Sequence, residues 1–241
     1  MLMVPIKTNL ANKSNYGGIR SLSKIKYIVI HYTGNDGDSD ESNGRYFVNN
    51  IPKASAHYFV DDDSITQSVP DNYVAYSVGG NKYSDCSKTG GGKFYGKCVN
   101  GNSISIEICD SVKNGVVYPS EKTIQNALEL TRHLMQKYNI PANHIIRHFD
   151  VTGKKCPVYW TDDVKWKSEF WNKVGEDDMT KEEVIKIIQE YEAEKEKKSV
   201  DSWAKTAWDK AKKKGVLDGT KPKSAVTREQ IAAILDRLGL L

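Results

Sequence analysis

The stretch NSISIEICD, residues 102–110, alternates without a break. In an extended chain Ile104, Ile106 and Ile108 fall on one face and Ser103, Ser105 and Glu107 on the other, because successive strand side chains point to opposite sides. The run predicts a core strand. Glu107 is its anomaly, because a carboxylate within such a strand is costly unless it is paired or used. Upstream, KYIVIHYT (26–33) is a β-rich apolar run that predicts a buried strand. It places Tyr27, Val29 and His31 on one face, with His31 emerging at the carboxyl end, where sheet proteins often keep functional groups. AHYFVDDDSITQSVP (56–70) predicts a hairpin turning at DDDS.

SEKTIQNALELTRHLMQKYNI (120–140) carries the helical period instead. Ser120 caps its start, Ile124, Ala127, Leu128, Leu134, Met135 and Tyr138 form its apolar stripe, and Pro141 lies past its end. Strands interleaved with helices imply an α/β or α+β domain over residues 1–174. The 241 residues suffice for this domain and something smaller. Residues 175–200 read as a charged helical linker with one short stripe, Val184, Ile187, Ile188 and Tyr191, either simply solvated or used for self-association. Residues 201–241 read as a small helical unit. Trp203, Ala207, Trp208 and Ala211 recur at helical spacing, Gly215 ends that helix, and Thr227 with Gln230 forms a capping box for a second. Two helices around a loop are marginal alone, so a partner copy or a binding surface is expected.

The net charge of +4 resides in residues 1–174, the remainder being balanced. It favours an anionic partner but is too weak, and too free of aromatic-interleaved basic stripes, for nucleic acid. No apolar run is long enough to span a membrane. The first residues lack the pattern of a secretory leader, so a cytoplasmic site of folding is expected. The four cysteines then read as thiols or metal ligands; Cys86 and Cys98 flank a loop and would be able to pair outside a cell.

The chemistry concentrates in IIRHFDVTGKKCP (145–157). His148 and Cys156 are favoured zinc ligands, eight residues apart on a loop that can fold back through TGKK. A catalytic zinc site takes three protein ligands, and His31 is the candidate for the third. Spacing alone leaves open that these are a structural histidine and a core cysteine. Glu107 would be the base beside the attacking water. Lys154 would stabilise an oxyanion, or be a surface lysine like Lys155.

Together YIVIHYTG, SAHYFVDDDSITQSVPD, NGNSISIEIC and RHFDVTGKKCP resemble the zinc-dependent N-acetylmuramoyl-L-alanine amidases of type 2, over roughly residues 20–172. The resemblance implies a mixed central β-sheet flanked by helices, as in peptidoglycan recognition proteins. It implies one Zn²⁺ held by His31, His148 and Cys156, with Glu107 as general base and Lys154 as its catalytic lysine. One branch of the family has a catalytic tyrosine where this chain has Ala56, so that role does not transfer. His57 beside it, and Tyr95 and Asn100 around the Gly-rich KTGGGKFYGK loop, are candidate substrate-binding residues. The tail, WAKTAWDKAKKKGVLDG and VTREQIAAILDRLG, resembles one S-layer-homology motif, implying contact with cell-wall polymers through Trp203, Trp208 and Arg228.

The expected protein is thus a bacteriophage endolysin that lyses Gram-positive walls. Its partners are peptidoglycan and wall polymers, without membrane insertion, and it stays in the host cytoplasm until lysis. A homo-oligomer through the linker helix or the tail, and a shorter product starting at Met179, are further expectations. The competing class is a non-catalytic peptidoglycan-binding module, against which Cys156 and Glu107 both count.

Overall fold

The computed structural model describes residues 4–113, 115–175 and 181–241. The chain divides into two compact units, Met1–Asp177 and Asp178–Leu241. The charged segment thus groups with the tail. Met179 and the side chain of Val184 lie outside the described residues.

The strands of the first unit are β1 (Ile6–Thr8), β2 (Tyr16–Ile19), β3 (Tyr27–Tyr32), β4 (Tyr58–Val60), β5 (Ile65–Gln67), β6 (Tyr73–Ala75), β7 (Ser103–Ile108), β8 (Ser111–Lys113), β9 (Val116–Tyr118) and β10 (Ile145–Arg147). Its helices are α1 (Asp40–Asn49), α2 (Cys86–Thr89), α3 (Glu121–Tyr138), α4 (His148–Thr152), α5 (Asp163–Trp166) and α6 (Asn172–Val174). Six strands form one mixed sheet in the order β1-β5-β4-β7-β3-β10. The four strands β4, β7, β3 and β10 run parallel. β5 turns back on β4 as the expected hairpin. Asp61 Oδ1 secures that turn by accepting from the backbone N–H groups of Asp63 and Ser64 at 3.2 and 3.1 Å.

The alternation in 102–110 explains the layers. Ile104, Ile106 and Ile108 join Ile28 and Ile30 of β3 in the main core, with Ile124, Ala127, Leu128, Leu130 and Leu134 of α3. Burying each isoleucine contributes about 1.5–3 kcal/mol. Met135 and Tyr138, expected on the same stripe, are only partly buried, and Leu130 takes a place the stripe did not include. Ser120 caps α3 as expected, accepting from the Thr123 N–H at 3.0 Å. The opposite sheet face carries Val29 and Ile146, packed with Val78, Cys98 and Val151. His31 and Glu107 share that face by strand alternation. Parallel strands covered on both sides are the rule in such sheets.

A cavity of about 270 Å³ at the carboxyl ends of β4 and β7 is lined by Asp38, Asp61, Asp62, Asp63 and Asp110. Its acidity belongs to the fold. Asp61 Oδ2 accepts from the Asp40 N–H opening α1 at 3.1 Å, and Asp62 accepts from Ser120 and Thr123 at the start of α3. Carboxylates are favourable at helix N-termini, where unpaired N–H groups gather.

The second unit holds α7 (Lys181–Glu196), α8 (Ser202–Lys213) and α9 (Arg228–Arg237). The capping box forms as read: Thr227 N–H donates to Gln230 Oε1 at 2.9 Å, and Gln230 N–H to Thr227 Oγ1 at 3.2 Å. No helix among the described residues is long and apolar enough to cross a membrane.

Candidate active site

β3 and β7 pair in register so that His31 lies directly beside Glu107. On the far side of β3, β10 pairs Arg147 with Ile30, which delivers His148 to the same carboxyl edge. The chain must then return Cys156 to His148. Gly153 makes the reversal at φ 83°, a left-handed conformation that favours glycine. Phe149 N–H donates to the Cys156 carbonyl at 2.9 Å and closes the loop. The buried guanidinium of Arg147 anchors it from below, donating to both Asp150 oxygens at 2.9 and 2.7 Å, to Asp163 at 2.6 Å and to the Trp160 carbonyl at 2.7 Å.

His31, His148 and Cys156 meet there with ligand atoms within 4.8 Å of one another, the one such group of metal-binding side chains among the described residues. Cys156 Sγ lies 3.7 Å from His31 Nδ1, and the imidazole centroids are 4.7 Å apart. All three side chains are buried, His31 to 2% exposure. His31 Nε2, both nitrogens of His148 and Glu107 Oε2 have no hydrogen-bond partner among the described residues. Buried polar atoms are normally paired, so unpaired buried nitrogens on both histidines of the cluster suit a cation. Two imidazoles and a thiol form a donor set matched to zinc.

Burial holds the His31 imidazole well below its ordinary range, and the fields of His148 and Lys154 add to this. Burial, with Lys154, lowers His148 to about 4. Burial pushes the Cys156 thiol up, and the charge of Glu107 adds to the rise while Lys154 opposes it. The uncharged histidines are ready to ligate, whereas the thiol must lose its proton to do so. Glu107 Oε1 stands 3.8 Å from His31 Nδ1, and the side chain is 20% exposed. Burial raises Glu107 to about 8 against the pull of Lys154, with Asp110 and Asp38 adding to the rise. Lys154 is itself exposed, and its charge reaches all four of these groups.

Comparisons with known proteins identify the family. Residues 21–159, more than half of the chain, match the N-acetylmuramoyl-L-alanine amidase family. The chain belongs to that family. It is 35% identical to N-acetylmuramoyl-L-alanine amidase CwlL of Bacillus licheniformis over 179 residues, covering 71% of this chain and 47% of the relative. It is 32% identical over 169 residues to the amidase BlyA of Bacillus subtilis, covering 68% and 44%. The chain therefore spans about half the length of the curated relatives it matches. Among solved structures, the catalytic domain of XlyA superposes with a TM-score of 0.55 at 28% identity, covering 71% of this chain and all of that one. A mutant endolysin from Bacillus subtilis gives 0.55 at 29%, covering 72% of this chain and 100% of its own.

The other candidates within the amidase domain fare differently. His57 is 1% exposed, its Nδ1 lies 3.1 Å from Ser105 Oγ, and its Nε2 lies 2.9 Å from the Arg20 guanidinium. Burial and Arg20 lower it to about 3, so it is a neutral structural pin. Asn100 is half-buried, its Oδ1 accepting from the Ser77 and Val78 N–H groups at 3.1 and 2.8 Å. Tyr95 is exposed on the 91–98 loop, and no described hydrogen bond ties it to the metal-binding residues. The glycines of that loop have another purpose. A Cβ on Gly91 would meet Gly153 Cα at 2.8 Å and the Phe149 carbonyl at 2.9 Å, so the loop packs directly on the reversal that carries Cys156. Cys86 and Cys98 remain free buried thiols in separate surroundings and do not pair. The sequence reading missed the bond from the Phe149 N–H to the Cys156 carbonyl, which leaves no sequence signal because it is backbone. It also missed the Arg147–Asp150 anchor, for which the opposite charges three apart in RHFD were a signal.

Proposed function

We propose that this chain is a zinc-dependent N-acetylmuramoyl-L-alanine amidase, an endolysin that hydrolyses the amide between N-acetylmuramic acid and L-alanine. One observation carries the reading: two imidazoles and a thiol converge, with unpaired buried atoms, on a point beside a carboxylate in strand register with the first ligand. One Zn²⁺, held by His31, His148 and Cys156, would supply Lewis-acid polarisation of the carbonyl and acidify the attacking water. Glu107, reached from solvent through its exposed fifth, takes the proton of that water and returns it to the leaving amine. A carboxyl already raised toward neutrality suits both halves of the transfer. Lys154 places a positive charge over the site and stabilises the negative charge that develops on the attacked carbonyl.

The second unit would hold the enzyme on the wall. Its resemblance to an S-layer-homology motif, and the 85% exposure of Trp203, support a polymer-binding surface that includes Trp208 and Arg228. The similarity to a Bacillus endolysin supports a phage enzyme that acts on Gram-positive walls after leaving the host cytoplasm.

The test is digestion of purified Gram-positive walls with product mass spectrometry, with and without a chelator. The expected result is free L-alanine amino termini, suppressed by chelation and restored by Zn²⁺. No amine release under either condition would leave a binding module instead.

A further inference from the structure

Past His31 and Glu107 the two central strands leave the sheet, and their exits are tied together. Thr33 N–H donates to the Ile108 carbonyl at 3.1 Å. Asp110 then gathers the chain that leaves β3. Its Oδ1 accepts from Thr33 Oγ1 at 2.9 Å and from the Gly34 N–H at 3.0 Å. Asp110 is 4% exposed. Its Oδ2 has no hydrogen-bond partner among the described residues, so the fold carries a buried carboxylate that is only half satisfied.

The clamp lies close to the site. Tyr32 alone separates His31 from Thr33. The three-residue run His31–Thr33 thus carries one candidate metal-binding imidazole and the point of attachment to Asp110. Asp110 itself lies three residues beyond Glu107. A shift of the chain at Thr33 would move the imidazole relative to Glu107. The charge on Asp110 makes its two bonds the stronger kind.

We propose that Asp110 is a positioning residue. It locks the exit of β3 to the exit of β7 and so fixes His31 against Glu107. The role rests on the reading of His31 as a ligand and Glu107 as the base. Asp110 touches neither the metal cluster nor the reacting atoms, and it acts through Thr33 and Gly34.

The test uses the full-length, zinc-loaded enzyme on purified walls, with zinc release to a chromogenic chelator as a second readout. Asp110→Ala is expected to lower kcat about tenfold to a hundredfold, to leave KM within about threefold, and to release zinc faster. Asp110→Asn keeps an acceptor oxygen for Thr33 and Gly34, and is expected to restore kcat to within about fivefold of the parent and to retain zinc. Thr33→Val removes one of the two bonds and should fall between them, and adding it to Asp110→Ala should cost nothing more. Asp110→Ala that melts earlier but keeps kcat and zinc retention per folded molecule would reduce Asp110 to a structural residue and overturn the proposal. Asp110→Asn as impaired as Asp110→Ala would overturn it too, by assigning the effect to charge. Glu107→Gln run alongside separates the two levels. If Glu107→Gln is fully active, the amidase mechanism fails and the positioning role falls with it. If Glu107→Gln is inactive and Asp110→Ala unimpaired, only the clamp fails.

Discussion

Every buried residue described in this chain lies between Ala11 and Val174, and none of the described residues in 181–241 is buried. The first unit hides its candidate site: the side chains that could hold a metal are buried at a sheet edge, and Glu107 is open to solvent by a fifth. The second unit displays its side chains. Ile187, Ile188 and Tyr191 of α7 are more than half exposed, and Trp203 of α8 almost fully so. Burial is what lets a carboxyl titrate near neutrality and leaves imidazoles uncharged at neutral pH. Exposure does the opposite: it gives up perturbed groups and offers area to a large partner. The contrast is in keeping with the proposed division, reaction in the first unit and attachment in the second.

The sharpest way to break that division is to remove the base. Glu107→Gln should lower kcat by about a hundredfold to ten-thousandfold while wall binding stays at the parent level in a pull-down. The next largest effect should come from the other side. A chain ending at residue 175 should keep its rate on small soluble wall fragments within about twofold and lose about tenfold or more on intact walls, because a tethered second contact raises effective concentration. Turbidity clearance and fragment hydrolysis measured in parallel would check this. Trp203→Ala should weaken wall binding by about 1–2 kcal/mol with no change in melting temperature, as expected of a side chain that packs against little.

The smallest expected effect concerns pH and the metal-free protein. His148, lowered to about 4, and His57, lowered to about 3, bind fewer protons folded than unfolded. Their contribution is complete above the unfolded histidine range near 6.5 and is lost as pH falls through it. Glu107, raised to about 8, binds more protons folded than unfolded. It withdraws stability as pH rises from the ordinary carboxylate range to about 8. The melting temperature of the metal-stripped protein should therefore peak near pH 6.5, by a few degrees, and Glu107→Gln should flatten the alkaline side and steepen the acid side. Differential scanning calorimetry across this range would show it.

The amidase domain was largely legible in its sequence for a local reason. Strict alternation in 102–110 forces Glu107 onto the face opposite three isoleucines, and the strand of 26–33 puts His31 at its carboxyl end whatever the topology. Strand pairing then needed only to set these two residues side by side. What stayed hidden depended on distant contacts. His57 reads as a polar residue near the site, and only the arrival of Arg20 and Ser105 makes it a buried pin. Gly91 reads only as part of a Gly-rich loop, and only the approach of Gly153 and Phe149 shows it to be a packing surface. Asp110 looked like the end of a strand until Thr33 and Gly34 met it.

The central claim is that one Zn²⁺ is gripped by two imidazoles and one thiolate. X-ray absorption at the zinc edge of the loaded protein tests it directly. The expected spectrum shows one sulfur scatterer near about 2.3 Å and nitrogen or oxygen near about 2.0–2.1 Å, at one zinc per chain, and Cys156→Ser should erase the sulfur shell. A spectrum without sulfur, or a sulfur shell that survives Cys156→Ser, would contradict the account.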